Sequence, residues 1–190
     1  MWRWEAPHPE WIPEAAPESP ADWPEQVGSV AYAAPEAFLL VDPLVPDDLW
    51  EPLGEKVDVH GMPVVVVTTI RFHRRSRDAV LRRFGATAVR RPADLPEGVE
   101  TIRIPRAGET MVWLPGPRAL VPGDRLLGDG RGRLRLCPPR WLRYLQPGLT
   151  HDELREALRP LLDLPVELVL VSHGEPVLQN GRAAIEQALS

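Results

Sequence analysis

The valine run Val64-Val65-Val66-Val67, continued by Thr68 and Thr69, and the loop after it, Arg71-Phe72-His73-Arg74-Arg75-Ser76, constrain this chain more than any other feature. Four valines in a row leave no wet face for a strand. The run therefore predicts a strand buried on both sides, as in the middle of a layered α/β protein. It is far too short for the roughly 20 apolar residues of a membrane helix. It stops at a polar loop holding one histidine and three arginines. Loops at the ends of buried strands are where such folds keep their chemistry.

The rest of the chain bounds what that strand can belong to. A length of 190 residues suits one domain with a substantial core. A net charge of −5 gives no reason to expect nucleic-acid binding, and the arginine loop lacks interleaved aromatics beyond Phe72. The single cysteine, Cys137, excludes an internal disulfide and a cysteine-based zinc cluster, and fits a reducing cytoplasm. Followed by Pro138-Pro139, with nothing adjacent to activate it, Cys137 reads as a core or interface thiol. Residues Met1 to Glu5 lack the long apolar segment of a secretory signal. Lys56 is the only lysine, which reads as a GC-rich bacterial genome. A bacterial, cytoplasmic protein is the expectation.

Residues 1–26 form a Trp/Pro-rich arm: Trp2, Trp4, Trp11 and Trp23 lie among Pro7, Pro9, Pro13, Pro17, Pro20 and Pro24. Proline at this density opposes a regular helix or a central strand. Disordered tails are poor in aromatics, so the tryptophans predict an extended arm pinned on the surface. From 27 to 190 the pattern is regular. Val27–Tyr32 and Ala37–Val41 read as strands joined by a turn, Asp47–Lys56 as a short helix, and Ser76 as the cap of a helix stopped by Gly85. Ala86–Arg90, Glu100–Ile104, Thr110–Leu114 and Arg118–Val121 read as further strands, and Pro138–Leu145 as a short helix. Thr150-His151-Asp152-Glu153 is a capping box opening a helix striped with Leu154, Ala157, Leu158 and Leu161. Val166–Val171 is another buried strand, expected to be central, and Arg182–Leu189 a closing helix.

Four pieces of this pattern carry a resemblance. They are Leu39-Leu40-Val41-Asp42-Pro43, the stretch from Val64 through Gly85, Ala107-Gly108-Glu109 followed by Ala119-Leu120-Val121-Pro122-Gly123-Asp124, and Val169-Leu170-Val171-Ser172-His173-Gly174. In order and spacing, over residues 27–189, they resemble the metallo-β-lactamase fold superfamily. The first looks like its early strand ending in Asp-Pro or Asp-x-Gly, and the second like its strand, metal loop and helix. The third is similar to its Pro-Gly-Glu and Gly-Asp segments, the fourth to the strand ending in its last metal-binding histidine. The resemblance implies a four-layered αββα sandwich, with the loops of His73 and His173 on the same edge.

Members of that superfamily hold one or two metal ions, each by several histidine and carboxylate ligands, to activate a water. Where the family has His-x-His-x-Asp-His, this chain matches only the second histidine, as His73, in one register, and none if the register shifts by one residue. In the first register Arg71, Arg75 and Ser76 stand at the other positions, and the family's Gly-His-Thr histidine falls near Pro105. Asp124, His173 and His73 remain as relict metal-site positions. The expectation is thus a degenerate metallo-β-lactamase-like domain with no working metal centre and no cofactor, in a binding or structural role. The alternative is a hydrolase of the same fold, using one weakly held zinc ion or, without metal, His73 or His173 as base. A third possibility is an oligomerisation module whose arm docks on a neighbouring subunit.

Bland readings stand beside these. Asp124 also suits a turn after Pro122-Gly123, and His173 a histidine bonded to backbone, while His8, His60 and His151 read as surface residues. A buried Asp124 needs a cationic partner, which predicts an ion pair to an arginine of the loop, Arg75 first and Arg71 second. Arg71, Arg74, Arg75 and Arg77, around the start of the helix after Ser76, also compose a candidate site for a small anion. A protein partner is equally open.

Overall fold

In a computed structural model of the chain, which describes residues 1–16, 19, 21–145 and 147–190, two sheets lie face to face with helices on their outer sides. Pro17, Glu18 and Pro20 of the arm, and Gln146, lie outside the described residues. The first sheet runs in the order β1 (Trp2–Pro7), β2 (Gln26–Ala33), β3 (Phe38–Val41), β4 (Val64–Val67), β5 (Thr87–Ala88). Its first three strands are antiparallel, and β3, β4 and β5 are parallel. The parallel pairs are linked through α1 (Trp50–His60) and α2 (Arg77–Phe84). In the second sheet, β6 (Glu100–Ile104), β7 (Glu109–Leu114) and β8 (Ala119–Val121) are antiparallel neighbours. A separate hairpin, β9 (Leu126–Gly128) and β10 (Leu134–Leu136), leads to α3 (His151–Leu158). β11 (Leu168–Val169) then returns parallel to β8, and α4 (Gly181–Ala188) closes the chain.

Strand alternation builds the layers. In β3, Leu39 and Val41 face Val112, Leu114, Ala119 and Val121 of the second sheet. Their neighbours Phe38 and Leu40 point the other way, with Val64 and Val66, onto Leu53 of α1 and Val80 of α2. Met111, Trp113 and Leu120 pack outward on Leu154, Leu158 and Ile185 of α3 and α4. Helix, sheet, sheet and helix are therefore stacked in the expected four layers. Each fully buried leucine contributes roughly 2 kcal/mol by area.

Local chemistry explains where the elements stop. α1 accepts Pro52 because that residue lies in the first turn, where an amide has no intrahelical partner. The helix therefore runs on to His60, four residues beyond the expected end. Gly85 ends α2 in the left-handed conformation, φ 60°, and its N–H bonds Leu81 O. Thr150 and Glu153 form the capping box of α3. Two expectations are corrected. Ser76 sits at the start of α2 but does not cap it; its hydroxyl accepts the N–H of Val45 at 2.9 Å, tying the loop after β3 to the loop after β4. The Val166–Val171 strand is not central: its ladder covers only Leu168–Val169, at the sheet's edge. Val166, Val169, Leu170 and Val171 are buried because Val177 bridges the free flank and the first turn of α4 bonds Val166 and Glu167.

The N-terminal residues pack on the same molecule. β1 is the outer strand of the first sheet, and Trp4 is buried, its indole N–H bonding Leu44 O at 2.7 Å. Trp2, Trp11 and Trp23 are half-buried. The chain then crosses the loop edge of the sandwich, where Trp11 donates to Trp23 O at 2.9 Å and Asp22 pairs with Arg140 at 2.6 Å. No helix among the described residues is long and apolar enough to cross a membrane.

Candidate functional site

Four strand exits meet on one edge: Asp42 after β3, Thr69–Ser76 after β4, Pro122–Arg125 after β8, and Ser172–Gly174 after β11. The two sheets are hydrogen-bonded to each other here. Thr110 N–H donates to Thr69 O at 2.9 Å, and Gly28 N–H to Ser172 O at 2.7 Å. Gly123 lies so close to the loop after β4 that a Cβ on it would fall 2.6 Å from Thr69 Oγ1. Only glycine permits that approach.

His73 is buried on a 3-10 turn, Arg71–Arg74, and its ring is fixed from behind. Nδ1 lies 2.8 Å from Asp42 Oδ2, and Asp42 also accepts the N–H of Thr69 at 2.8 Å and the Thr69 hydroxyl. Asp42 reaches this position with a left-handed backbone, φ 48°, a cost that such sites commonly carry. With Nδ1 held by a carboxylate, Nε2 is the nitrogen presented forward. It lies 3.0 Å from Asp124 Oδ1.

Asp124 is placed by backbone rather than by side chains. Glu109, fully buried at the start of β7, accepts the N–H groups of Gly123, Asp124 and Arg125 at 3.0, 2.7 and 2.9 Å. Burial pushes the Glu109 carboxyl up to about 7, against the pull of the nearby Arg125. His173 is buried at the exit of β11, between the edges of two indoles, Trp141 at 5.4 Å and Trp23 at 6.0 Å between centroids. Its Nε2 lies 3.4 Å from Asp124 Oδ1.

One donor atom each from His73, Asp124 and His173 thus lies within 4.8 Å of the others. Burial opposes charging His73, yet Asp124 and Asp42 raise it to about 9. Burial would raise Asp124, but His73 and His173 hold it well below its ordinary value. His173 is lowered by burial. Although Asp124 Oδ1 is within ion-pair distance of both rings, it lacks an aligned hydrogen bond to either, and it is shielded from water. The donor atoms of the three side chains converge on one spot.

The expected Arg–Asp124 pair is absent among the described residues, where the ion-pair partners of Asp124 are the two histidines. Arg75 turns elsewhere. Its guanidinium donates to Gly28 O at 2.7 Å, Asp42 O at 3.0 Å and Ser172 Oγ at 2.6 Å, stapling β2, the end of β3 and the His173 loop. The physical reason is competition: three oxygens, from Gly28, Asp42 and Ser172, converge on its guanidinium and occupy its donors. The other loop arginines diverge too. Arg71 stacks on Phe72 at 4.5 Å, while Arg74 and Arg77 pair with Asp78 at 3.3 and 3.7 Å. The four arginines are thus divided among separate neighbours. Cys137 is buried, its thiol pushed up to about 11 by burial, as a core thiol should be.

Three residues escaped the sequence reading. Asp42 appears there as a strand end, and its link to His73 spans 31 positions. Glu109 appears as part of a segment match, without its loop-holding role. His8 reads as surface but lies over Trp23, at 5.0 Å, in the wall of the cavity above the site. That cavity, of about 600 Å³, is bounded by the N-terminal segment, the arginine loop and Trp141 and Tyr144.

No protein-family model and no curated protein sequence matches the chain. Solved structures do. The metallo-β-lactamase FIM-1 from Pseudomonas aeruginosa, in its mono-zinc form, superposes with a TM-score of 0.59 at 12% identity, over 86% of this chain and 83% of that one. For the DIM-1 metallo-β-lactamase the values are 0.54, 15%, 86% and 88%. For VMB-1 they are 0.54, 12%, 87% and 87%. At such identities the likeness establishes architecture: the chain has the metallo-β-lactamase fold.

Proposed function

We propose that the chain holds one divalent metal ion, zinc in the first instance, between His73 Nε2, Asp124 and His173, and that this single-metal site is hydrolytic. The observation that carries the reading is the spacing of donors that touch without bonding. Zinc binds nitrogen and oxygen at about 2.0–2.2 Å, so neighbouring ligands of a tetrahedral ion stand roughly 3.3 Å apart. The distances from Asp124 Oδ1 to the two imidazoles are 3.0 and 3.4 Å. The donor set, two histidines and a carboxylate, is that of a catalytic site with an open position. FIM-1, to which the fold is similar, is described in a mono-zinc form.

A bound ion would supply Lewis acidity and a water acidified toward neutrality. The chain's own residues do the rest. Asp42 orients His73, Trp23 and Trp141 wedge His173, and Glu109 fixes the turn that carries Asp124. A second ion has no comparable support, because Arg71, Arg75 and Ser76 stand where a dinuclear centre needs donors, and Arg75 adds a half-buried positive charge. That charge favours a second reading, a metal-free binding domain in which His73 and Asp124 form a permanent ion pair. A bacterial, cytoplasmic setting suits the lone buried thiol under either reading.

Metal analysis separates the two. Protein purified without added zinc and then titrated with it should bind one equivalent, and Asp124→Ala and His173→Ala should abolish binding while remaining folded by circular dichroism. Failure of wild-type protein to retain any zinc, cobalt or manganese against a micromolar chelator would leave the metal-free reading standing.

A further inference from the structure

The cavity over the site has a composition that selects its occupant. Its mouth is formed by Phe72 and Tyr144, which are 56% and 53% exposed and meet edge to face at 6.5 Å. Large apolar side chains exposed side by side at a cavity mouth mark a binding surface. Deeper in, Trp23 and Trp141 line the same cavity. Four aromatic side chains, two exposed and two half-buried, therefore line the cavity, a composition suited to a flat apolar body.

Among the described residues, the arginines without an ion pair that line this cavity outnumber the acids left over there. Arg71 and Arg75 both line it, and neither makes an ion pair with a carboxylate among the described residues. All three bonds of Arg75 go to neutral oxygens, and its Nε is buried without a partner. The carboxylates of Asp42 and Asp124 act on Arg75 only through space, so Arg71, exposed at the mouth, is the cation placed to meet a bound anion. The Arg71 guanidinium stands 4.5 Å from the centre of the Phe72 ring at the mouth, and a guanidinium can bond a carboxylate with two donors at once. Asp124 is committed to the two histidines, which leaves Glu10 as the rim's acid among the described residues. A volume of about 600 Å³ suits a small molecule, with His8, Glu10 and Trp23 of the N-terminal segment lining one side.

We propose that this cavity takes a small organic anion with a flat apolar body, an arylcarboxylate being the simplest example, its anionic group on Arg71 and its body between the rim and floor aromatics. The inference rests on the single-metal hydrolytic reading in one respect: that reading makes the occupant a substrate or product rather than a structural ligand.

The test uses 2-naphthoate, its neutral analogue 2-naphthalenemethanol, and acetate, titrated calorimetrically into the full chain, both zinc-loaded and chelator-treated. Naphthoate is expected to bind at least about tenfold more tightly than either control, one equivalence of tenfold being about 1.4 kcal/mol. Arg71→Gln, a change at an exposed side chain, should erase the advantage over the alcohol and leave alcohol binding intact. Tyr144→Ala should weaken both aromatic probes several-fold. Equal binding of naphthoate and the alcohol, binding of acetate as tight as naphthoate, or an unchanged preference in Arg71→Gln would each overturn the proposal. The chelated sample keeps the two readings apart. A preference for naphthoate that persists there supports the aromatic-anion cavity whether or not zinc binds, whereas stoichiometric zinc without any such preference sinks this inference alone.

Discussion

Two buried carboxylates serve the site from opposite sheets, and they do it differently. At the end of the first sheet Asp42 steers a side chain, the ring of His73. At the end of the second sheet Glu109 steers backbone, collecting three consecutive amides so that Asp124 is carried into place. Side-chain steering concentrates the result in one orientation and one proton. Backbone steering spreads it over a loop whose shape the fold itself requires. The consequence is a difference in what breaks: the first device should fail locally, the second structurally.

The largest effect expected is therefore at Glu109. Replacing it by alanine strands three shielded N–H groups, each costing about 1–3 kcal/mol. Glu109→Ala should lose at least about 3 kcal/mol in urea denaturation at constant m-value, and Glu109→Gln should recover part of it. A loss below about 1 kcal/mol would mean that the turn holds itself.

Asp42→Asn should leave the fold largely intact but weaken zinc binding about 10–100-fold, the usual consequence of removing a carboxylate behind a metal-binding histidine. Competition with a chromophoric chelator measures it. Undiminished affinity would show that the Asp42–His73 contact does not orient a ligand.

The two regions also titrate in different windows in metal-free protein. His73, at about 9 when folded against 6.5 ordinarily, contributes stability that is complete below pH 6.5 and lost as pH rises through 9. Glu109, at about 7 against 4.5, favours the fold when protonated, so its contribution is complete below pH 4.5 and lost as pH rises through 7. The stability difference between wild type and His73→Gln should shrink from pH 7 to 9.5, by no more than about 1.4 kcal/mol per pH unit. For Glu109→Gln the change should fall in the lower window. Identical windows for the two variants would show that His73 and Glu109 titrate as one coupled group.

The smallest effect is expected where the regions meet. Ser172→Ala removes one of three acceptors of the Arg75 guanidinium, at a cost of about 1–2 kcal/mol. A cost as large as that of Glu109→Ala would move the weight of the site from the carboxylates to the arginine staple.

Much of this arrangement was legible in the residues. Four valines, Asp42 at a strand end, Gly123-Asp124 and Ser172-His173-Gly174 give the fold and three convergent donors, because burial and turn chemistry are local properties. What escaped is non-local. Arg75 reads as a neighbour of Asp124, yet its partners Gly28 and Ser172 lie 47 and 97 positions away. The β1 strand hides behind prolines, since Pro7 ends it and the others follow it. The β9–β10 hairpin, three residues a side around a Gly-Arg-Gly turn, carries too little alternation to stand out.

The near contact of Gly123 with Thr69 has a thermodynamic corollary. His73 comes from one sheet, Asp124 and His173 from the other, and the glycine lets the two edges close until their donors share a point. An ion held there would clasp the sandwich shut as a rivet does two plates. Each hundredfold excess of metal over its dissociation constant would add about 2.7 kcal/mol to the free energy of unfolding. Occupancy and mechanical integrity of the sandwich are then a single equilibrium, and a melting curve becomes a direct meter of what the seam contains.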